Sequence, residues 1–346
     1  MGKEQKIKCV VWDLDNTLWD GVILEDSNVV LKQDVVEIIK KLDERGILHS
    51  IASKNEPSLA MSKLEEFGIS EYFLYPQINW NPKSESIKNI AKSINIGIDT
   101  LVFVDDQPFE REEVNFVHPE VLCIDALNLE GVLDMPELKP KFITEDSKIR
   151  RQMYMNDIKR NNIEENFSGP HEEFLASLNM KVTIAPVQEN DLQRVEELTV
   201  RTHQLNTTGY TYSYEELDVM RHSDRHKLFV VGLDDKYGTY GKVGVVMLEC
   251  VEDVWTVKLL LMSCRVMSRG IGSLLINYIL KLAKENNVKL MAEFVKTDRN
   301  KMMYATYKFA GFTEYSVEGD KVVFEHNLSN IQDFPEYVHI KTLETV

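Results

Sequence analysis

No stretch of this chain restricts its possible folds more than residues 9–21, C-V-V-W-D-L-D-N-T-L-W-D-G. Four mostly apolar residues, including a pair of β-branched valines, read as a short buried strand. Asp13 and Asp15 follow where that strand should end. In an open α/β sheet, ligands bind just outside the carboxyl ends of the strands. Asp13 is therefore expected to face a crevice, with Asp15 one pleat further along the same side. A carboxylate so placed can attack phosphorus and hold it as an aspartyl-phosphate. Its neighbour can exchange a proton with the leaving group and with the attacking water. Asp-x-Asp-x-Thr by itself fits a solvated strand-to-loop junction equally well, so the rest of the chain has to decide.

At 346 residues the chain exceeds one typical core, and two domains are the default expectation. An apolar content of 43% with 28% charged residues is ordinary for a soluble globular chain. No apolar run reaches the roughly 18 residues of a membrane-spanning helix, so no membrane partner is expected. Residues 1–8 are too polar for a signal peptide, and the first strand begins at once. Cys9, Cys123, Cys250 and Cys264 show neither C-x-x-C nor finger spacing, which predicts reduced thiols in a cytoplasmic protein. The net charge of −16 argues against nucleic acid as a partner unless basic residues are concentrated. Two such concentrations exist, Lys148–Arg151 with Lys159–Arg160, and Arg221–Lys227, and each also reads as a solvated helix face.

The order of elements predicts α/β architecture. Asp20-Gly21 between two apolar runs signals a hairpin flap beside the carboxylates. Val35, Ile38, Ile39 and Leu42 mark one face of a helix, and Gly46 suits its C-terminal cap. Residues 47–52 read as a strand ending in Ser53-Lys54-Asn55, and Pro57 and Gly68 bracket a second helix. Tyr72–Tyr75 reads as a short strand. Asn81-Pro82-Lys83-Ser84 opens a helix with Ile87, Ile90, Ala91 and Ile94 on one face, and Leu101–Val104 is a buried strand ending in Asp105-Asp106.

Polar residues thus stand at successive strand ends, with a lysine at a helix start. Asp13, Asp105 and Asp106 can hold Mg²⁺, which favours carboxylates, water and phosphate oxygens. Ser53 can bond a phosphate oxygen, with Lys54 and Asn55 beside it as further phosphate-binding candidates. Lys83 can neutralise charge on the phosphorane and on Asp13. Singly, Ser53 also fits a turn, Lys83 a surface charge, and the aspartate pair a helix N-cap. Together, in this order, they resemble the four motifs of the haloacid-dehalogenase (HAD) superfamily. The resemblance implies a HAD-like Rossmannoid parallel sheet, Asp13 as nucleophile, Asp15 as general acid/base, and Ser53 and Lys83 as phosphate ligands. It also implies Mg²⁺ at Asp13, Asp105, Asp106 and the backbone carbonyl of Asp15. The 40 positions from Asp13 to Ser53 and the 30 from there to Lys83 are consumed by these elements, leaving no room for a cap domain. An open site favours a large substrate, or a group delivered on an arm.

Residues 127–140, acidic and proline-bearing, mark the edge of this first domain, taken as 1–140. Charged helices broken at Ser168-Gly169-Pro170 make a connector over 141–179. From Met180 the texture changes: an alternating strand, a helix over 189–201, the polar run R-T-H-Q-L-N-T-T-G, and strands near 228–233, 243–250 and 254–264. The last strand feeds S-C-R-V-M-S-R-G-I-G and an apolar helix, a strand–turn–helix cradle whose backbone N–H groups suit an anion. With strand 288–294, helix 299–310 and the strand that starts G-F-T-E-Y, residues 180–346 resemble the GNAT acyltransferase fold, in which the cradle holds the pyrophosphate of coenzyme A. Met267 stands where that family has Gln or Arg, which argues against ordinary acetyl-CoA binding. Cys264 sits at the cradle next to Arg265, a cation that favours thiolate, and a thiolate can hold an acyl group as a thioester. The alternative is a cysteine acting as a small hydrophobe. His203 reads as a base, a substrate ligand or a structural histidine.

Taken in order, W-D-L-D-N-T-L-W-D-G, V-D-D-Q-P-F-E-R-E, R-T-H-Q-L-N-T-T-G and S-C-R-V resemble the FkbH-like family almost end to end. Its members serve polyketide pathways: they take a glyceryl group from 1,3-bisphosphoglycerate, remove its phosphate and load it on an acyl carrier protein. The resemblance implies that chemistry here, with Cys264 accepting the acyl group and Asp13 the phosphate. Arg265, Arg269, Gly270, Gly272, Asn206, Thr207 and Thr208 would line the acyl group and the carrier's phosphopantetheine arm. Carriers are usually acidic, as this chain is, so docking calls for Arg221–Lys227 or Lys148–Arg160. The alternatives are a plain Mg²⁺-dependent phosphatase whose second domain recognises substrate, and a non-catalytic carrier-binding scaffold.

Overall fold

The computed structural model describes residues 7–26 and 28–343; most of the amino-terminal stretch read as no signal peptide, residues 1–6, lies outside them. The chain divides into two compact units, one running to Met155 and the other from Asn156. The first unit holds β1 (Cys9–Trp12), β2 (Trp19–Asp20), β3 (Val30–Leu31), α1 (Gln33–Glu44), β4 (Leu48–Ser53), α2 (Pro57–Glu66) and β5 (Gln77–Ile78). There follow α3 (Lys83–Ile94), β6 (Leu101–Asp105), α4 (Pro108–Val117), β7 (Leu122–Asp125), α5 (Glu145–Lys148) and α6 (Arg150–Glu165), within which the division falls.

The five-stranded sheet runs β5-β4-β1-β6-β7, every pair parallel. Each residue of β1, β4 and β6 is buried, as apolar runs covered on both faces require. The chain leaves β1 to one side through β4 and β5, then returns to its other side at β6. β1 is therefore the topological switch point, where the carboxyl ends of neighbouring strands open a crevice.

Two local expectations change. The flap exists, with β2 antiparallel to β3, but Asp20 lies within the strand and the connection extends to Val29. Its residues fold back on themselves, Val22 N–H donating to Asp26 Oδ2 at 2.6 Å, so Gly21 begins a loop rather than completing a tight turn. Tyr72–Tyr75 is not a strand. Ser70–Tyr72 curls into a 3₁₀ turn, Phe73 makes an isolated bridge to His49, and Tyr75 takes a φ of 50°, so the edge strand begins at Gln77.

The second unit contains α7 (His171–Ser177), β8 (Met180–Pro186), α8 (Leu192–Arg201), α9 (Tyr214–Arg221), β9 (His226–Asp235), β10 (Gly238–Val251) and β11 (Val254–Met262). Then come α10 (Ile271–Glu285), β12 (Lys289–Val295), α11 (Lys301–Phe309), β13 (Thr313–Glu318), β14 (Lys321–His326) and β15 (Val338–Thr342). Its sheet runs β13-β14-β12-β11-β10-β9-β8-β15, antiparallel except for β11 with β12 and β8 with β15. β11 and β12 pair only over Val254–Val257 with Lys289–Ala292, and then part. The fold class is thus α/β, a parallel sheet followed by a mixed one. Among the described residues no helix is long and apolar enough to cross a membrane.

Candidate active site

The strand ends of the first unit bring Asp13, Lys83, Asp105 and Asp106 together. Asp13 extends the β1–β6 ladder, its N–H donating to Val104 O at 2.9 Å, and its side chain is buried just past the carboxyl end of β1. Lys83, the first residue of α3 and 3% exposed, donates to Asp13, to Ala52 O at 2.7 Å and to Asp105 Oδ2 at 3.1 Å. Burial alone would lower its proton affinity, but Asp13 and Asp105 outweigh it and hold the ammonium above the usual lysine range. Burial, with the Asp13 charge next to it, pushes the Asp105 carboxyl up to about 6, and the same two causes raise Asp106. Pro82 precedes Lys83, and Glu113 of α4 accepts from Ser84 N at 3.0 Å, anchoring the helix start that aims the lysine.

Asp13, Asp105 and Asp106 each present a carboxylate oxygen within 4.8 Å of the others. Three carboxylates against the Lys83 ammonium leave two negative charges in this cluster. Asp106 Oδ1 is sealed from solvent and has no hydrogen-bond partner among the described residues. An all-oxygen donor set, a divalent charge deficit and an orphaned oxygen fit Mg²⁺.

Asp15 stands just past this cluster, half-buried. Burial raises its proton affinity, while bonds from Trp19 and Ile23 pull it part of the way back. Ser53, at the end of β4, is 3% exposed. The two residues after it are committed within the protein: Lys54 pairs with Glu110 at 2.8 Å, and the buried Asn55 amide donates to Asp15 Oδ2 at 2.9 Å. Trp19, Asn55 and Glu110 escaped the sequence reading in these roles. Trp19 lies inside the W-D-G motif, which was its one local signal.

In the second unit, Cys264 is half-buried at the turn before α10, its thiol 3.9 Å from Gln204 Oε1, and the residue that precedes Gln204, His203, is exposed. Gln204 was another residue the sequence did not single out. Arg265 donates to Tyr240 O at 2.8 Å, and the buried Arg269 to Glu164 Oε2 at 2.8 Å. Gly270, with φ 72°, caps α10, and at Gly272 a Cβ would meet the Met262 side chain at 3.0 Å. The polar run has an unexpected place. Met262 N donates to Leu205 O at 2.9 Å, Thr207 N to Leu260 O at 3.1 Å, and Val295 N to Thr207 O at 3.0 Å. Residues 205–207 therefore fill the gap where β11 and β12 part. Asn206 and Thr207 are wholly buried there, Asn206 Oδ1 accepting from the N–H groups of Thr208 and Gly209.

The arginines of the basic run at 148–160 are engaged within the protein, while Lys148 and Lys159 stay exposed. Lys148 pairs with Glu145, Arg150 donates to Gly46 O, Arg151 grips Asp43, and Arg160 is 0% exposed.

Fold and site together define a parallel α/β domain with a carboxylate–lysine centre at its switch point, followed in the chain by a second unit built on a mixed sheet. Among solved structures the chain is similar to the N-terminal part of BF1531 from Bacteroides fragilis, which contains a phosphatase domain complexed with Mg. Identity is 33%, coverage 35% of this chain and 36% of that one, and the TM-score 0.33, so the chain spans about a third of that protein. It is also similar to the ribosomal-protein-S18-alanine N-acetyltransferase of Escherichia coli (16% identity, 44% of this chain, 97% of that one, TM-score 0.34). A third likeness is to the spermidine N-acetyltransferase of Vibrio cholerae solved with CoA and spermine (18% identity, 42% of this chain, 92% of that one, TM-score 0.32). No family model matches the chain, and no curated protein matches it.

Proposed function

We propose that this chain is a bifunctional glyceryl transferase/phosphatase of the FkbH-like kind, acting in the cytoplasm on 1,3-bisphosphoglycerate and an acyl carrier protein of a polyketide-type pathway. The observation that carries the reading is the convergence of Asp13, Asp105 and Asp106 around Lys83 at the switch point. Mg²⁺ bound at those carboxylates would neutralise the phosphate oxygens. Asp13 then attacks the 3-phosphate, Asp15 protonates the departing oxygen, and Lys83 steadies the charge that moves between them. The raised proton affinity of Asp15 suits an acid that must hold a proton before giving it up. In the second unit the Cys264 sulfur attacks the acyl carbon, phosphate leaves, and the carrier's thiol later takes the glyceryl group from the thioester. With Arg150, Arg151 and Arg160 engaged within the protein, Arg221–Lys227, where Arg225 and Lys227 are exposed, is the docking candidate for the carrier.

The test is the intact mass of a phosphopantetheinylated carrier incubated with the full chain, Mg²⁺ and 1,3-bisphosphoglycerate. A gain matching glyceryl is expected; Asp13→Asn should turn it into a phosphoglyceryl gain, and Cys264→Ala should remove it. An unmodified carrier with phosphate still released would favour the plain phosphatase instead. The observation on that side is that residues 205–207 already occupy the gap between β11 and β12.

A further inference from the structure

Asp15 is held from both ends by groups that the phosphoryl-transfer chemistry does not itself require. Its Oδ1 accepts from the Trp19 indole N–H at 2.8 Å and from the Ile23 N–H at 3.1 Å, and its Oδ2 from the Asn55 amide at 2.9 Å. Trp19 and Asn55 are both 0% exposed and arrive from different elements, one on flap strand β2, the other just past β4. The Asn55 amide cannot turn over without loss, because its Oδ1 already accepts from Glu56 N–H at 2.9 Å. The Trp19 ring is braced by Phe67, with centroids 6.1 Å apart.

A carboxylate offers about four lone-pair directions. Three are taken, both on Oδ1 and one on Oδ2. The single remaining direction belongs to Oδ2. We propose that Trp19 and Asn55 are positioning residues that fix this one free lone pair of Asp15 as the place where the proton is carried, and that Asn55 is not a phosphate ligand. The inference rests on the phosphatase reading of the site. In the first half-reaction Asp13 attacks phosphorus, the P–O bond to the alcohol breaks, and the proton on Asp15 Oδ2 passes to the departing oxygen. In the second, water attacks the aspartyl-phosphate, its proton returns to Oδ2, and the P–O bond to Asp13 breaks, restoring both groups. Releasing either support lets the carboxyl swing, and the proton no longer meets the leaving oxygen.

The experiment compares kcat/KM of the full chain with Mg²⁺ on glycerol phosphate and on p-nitrophenyl phosphate. The alkoxide of the first needs a proton as it departs; nitrophenolate does not. For Trp19→Phe and for Asn55→Ala, the loss on glycerol phosphate should exceed that on p-nitrophenyl phosphate by about tenfold, a fraction of what a general acid supplies. Because each variant is compared with itself, the ratio does not depend on how much of it is folded. Inhibition by inorganic phosphate should be unchanged in Asn55→Ala. Equal losses on the two esters would make the contacts structural and overturn the proposal, as would weakened phosphate inhibition, which would restore Asn55 as a phosphate ligand. A wild-type chain that hydrolyses neither ester would overturn the phosphatase reading itself, and this inference with it.

Discussion

Each unit buries a cation among carboxylates, and the two clusters are built to opposite ends. In the second unit Arg160 is 0% exposed with every guanidinium nitrogen paired: Nε and Nη2 grip Asp235 at 2.7 and 2.8 Å, Nη1 meets Asp157 at 2.8 Å, and Nη2 also reaches Gly238 O at 2.9 Å. Its guanidinium lies 3.8 Å from the Tyr240 ring centroid, and Arg265 stands 3.9 Å from Asp157 on the far side. Those two arginines and two aspartates balance. Around Lys83 the carboxylates outnumber the cation, and the group stands at strand ends rather than between an α-helix and a β-hairpin. Burial of charge is common to both. Charge imbalance at the carboxyl ends of the strands of a switch point separates a site from a staple.

The largest expected effect breaks the comparison directly. Lys83→Met and Arg160→Met should each cost about 3–5 kcal/mol, because each strands buried carboxylates. Mg²⁺ should restore stability to Lys83→Met, whose carboxylates form a ligand set, and not to Arg160→Met. Urea unfolding with and without the ion reads this out, and recovery of both variants would erase the distinction.

A smaller effect concerns how the first unit supports the strand that leads into Asp13. His49 on β4 accepts from Trp12 Nε1 at 3.0 Å and donates from Nε2 to Ile39 O at 3.0 Å, bracing the residue before Asp13. Burial drives its imidazole down to about 3 from an ordinary 6.5. The unfolded chain takes up a proton that the folded one refuses, so stability should fall as pH drops through that window, by up to about 1.4 kcal/mol per pH unit. Unfolding curves across that range should be flatter for His49→Gln than for the wild type; equal slopes would count against a buried neutral imidazole.

The smallest effect is confined to the second unit. Ser213 caps α9 in a reciprocal box, its Oγ accepting from Glu216 N at 3.2 Å while Ser213 N donates to Glu216 Oε2 at 2.8 Å. Ser213→Ala should cost about 1 kcal/mol, measured by the denaturation midpoint, with Mg²⁺-dependent phosphate release left as it was.

Much of the first unit was legible because its signals are local. C-V-V-W and L-V-F-V are buried strands, and Ile87, Ile90, Ala91 and Ile94 line the buried face of α3 as their spacing indicates. A short apolar run such as Tyr72–Tyr75 has no periodicity to distinguish a strand from a turn. How charges are spent is no more local. Arg150, Arg151 and Arg160 look like a basic face along the chain, yet each is claimed by a carboxylate or carbonyl far away in sequence.

By itself the sequence determined the alternation of strands and helices, and with it the row of acids at strand ends, since apolar runs and caps act over a few neighbouring residues. The tertiary structure alone decided that Asn55 turns to Asp15 across 40 positions, and that residues 205–207 lie between β11 and β12. A hydrogen bond depends on the direction of both partners. Periodicity says which face of an element is buried; it does not say which atom waits there.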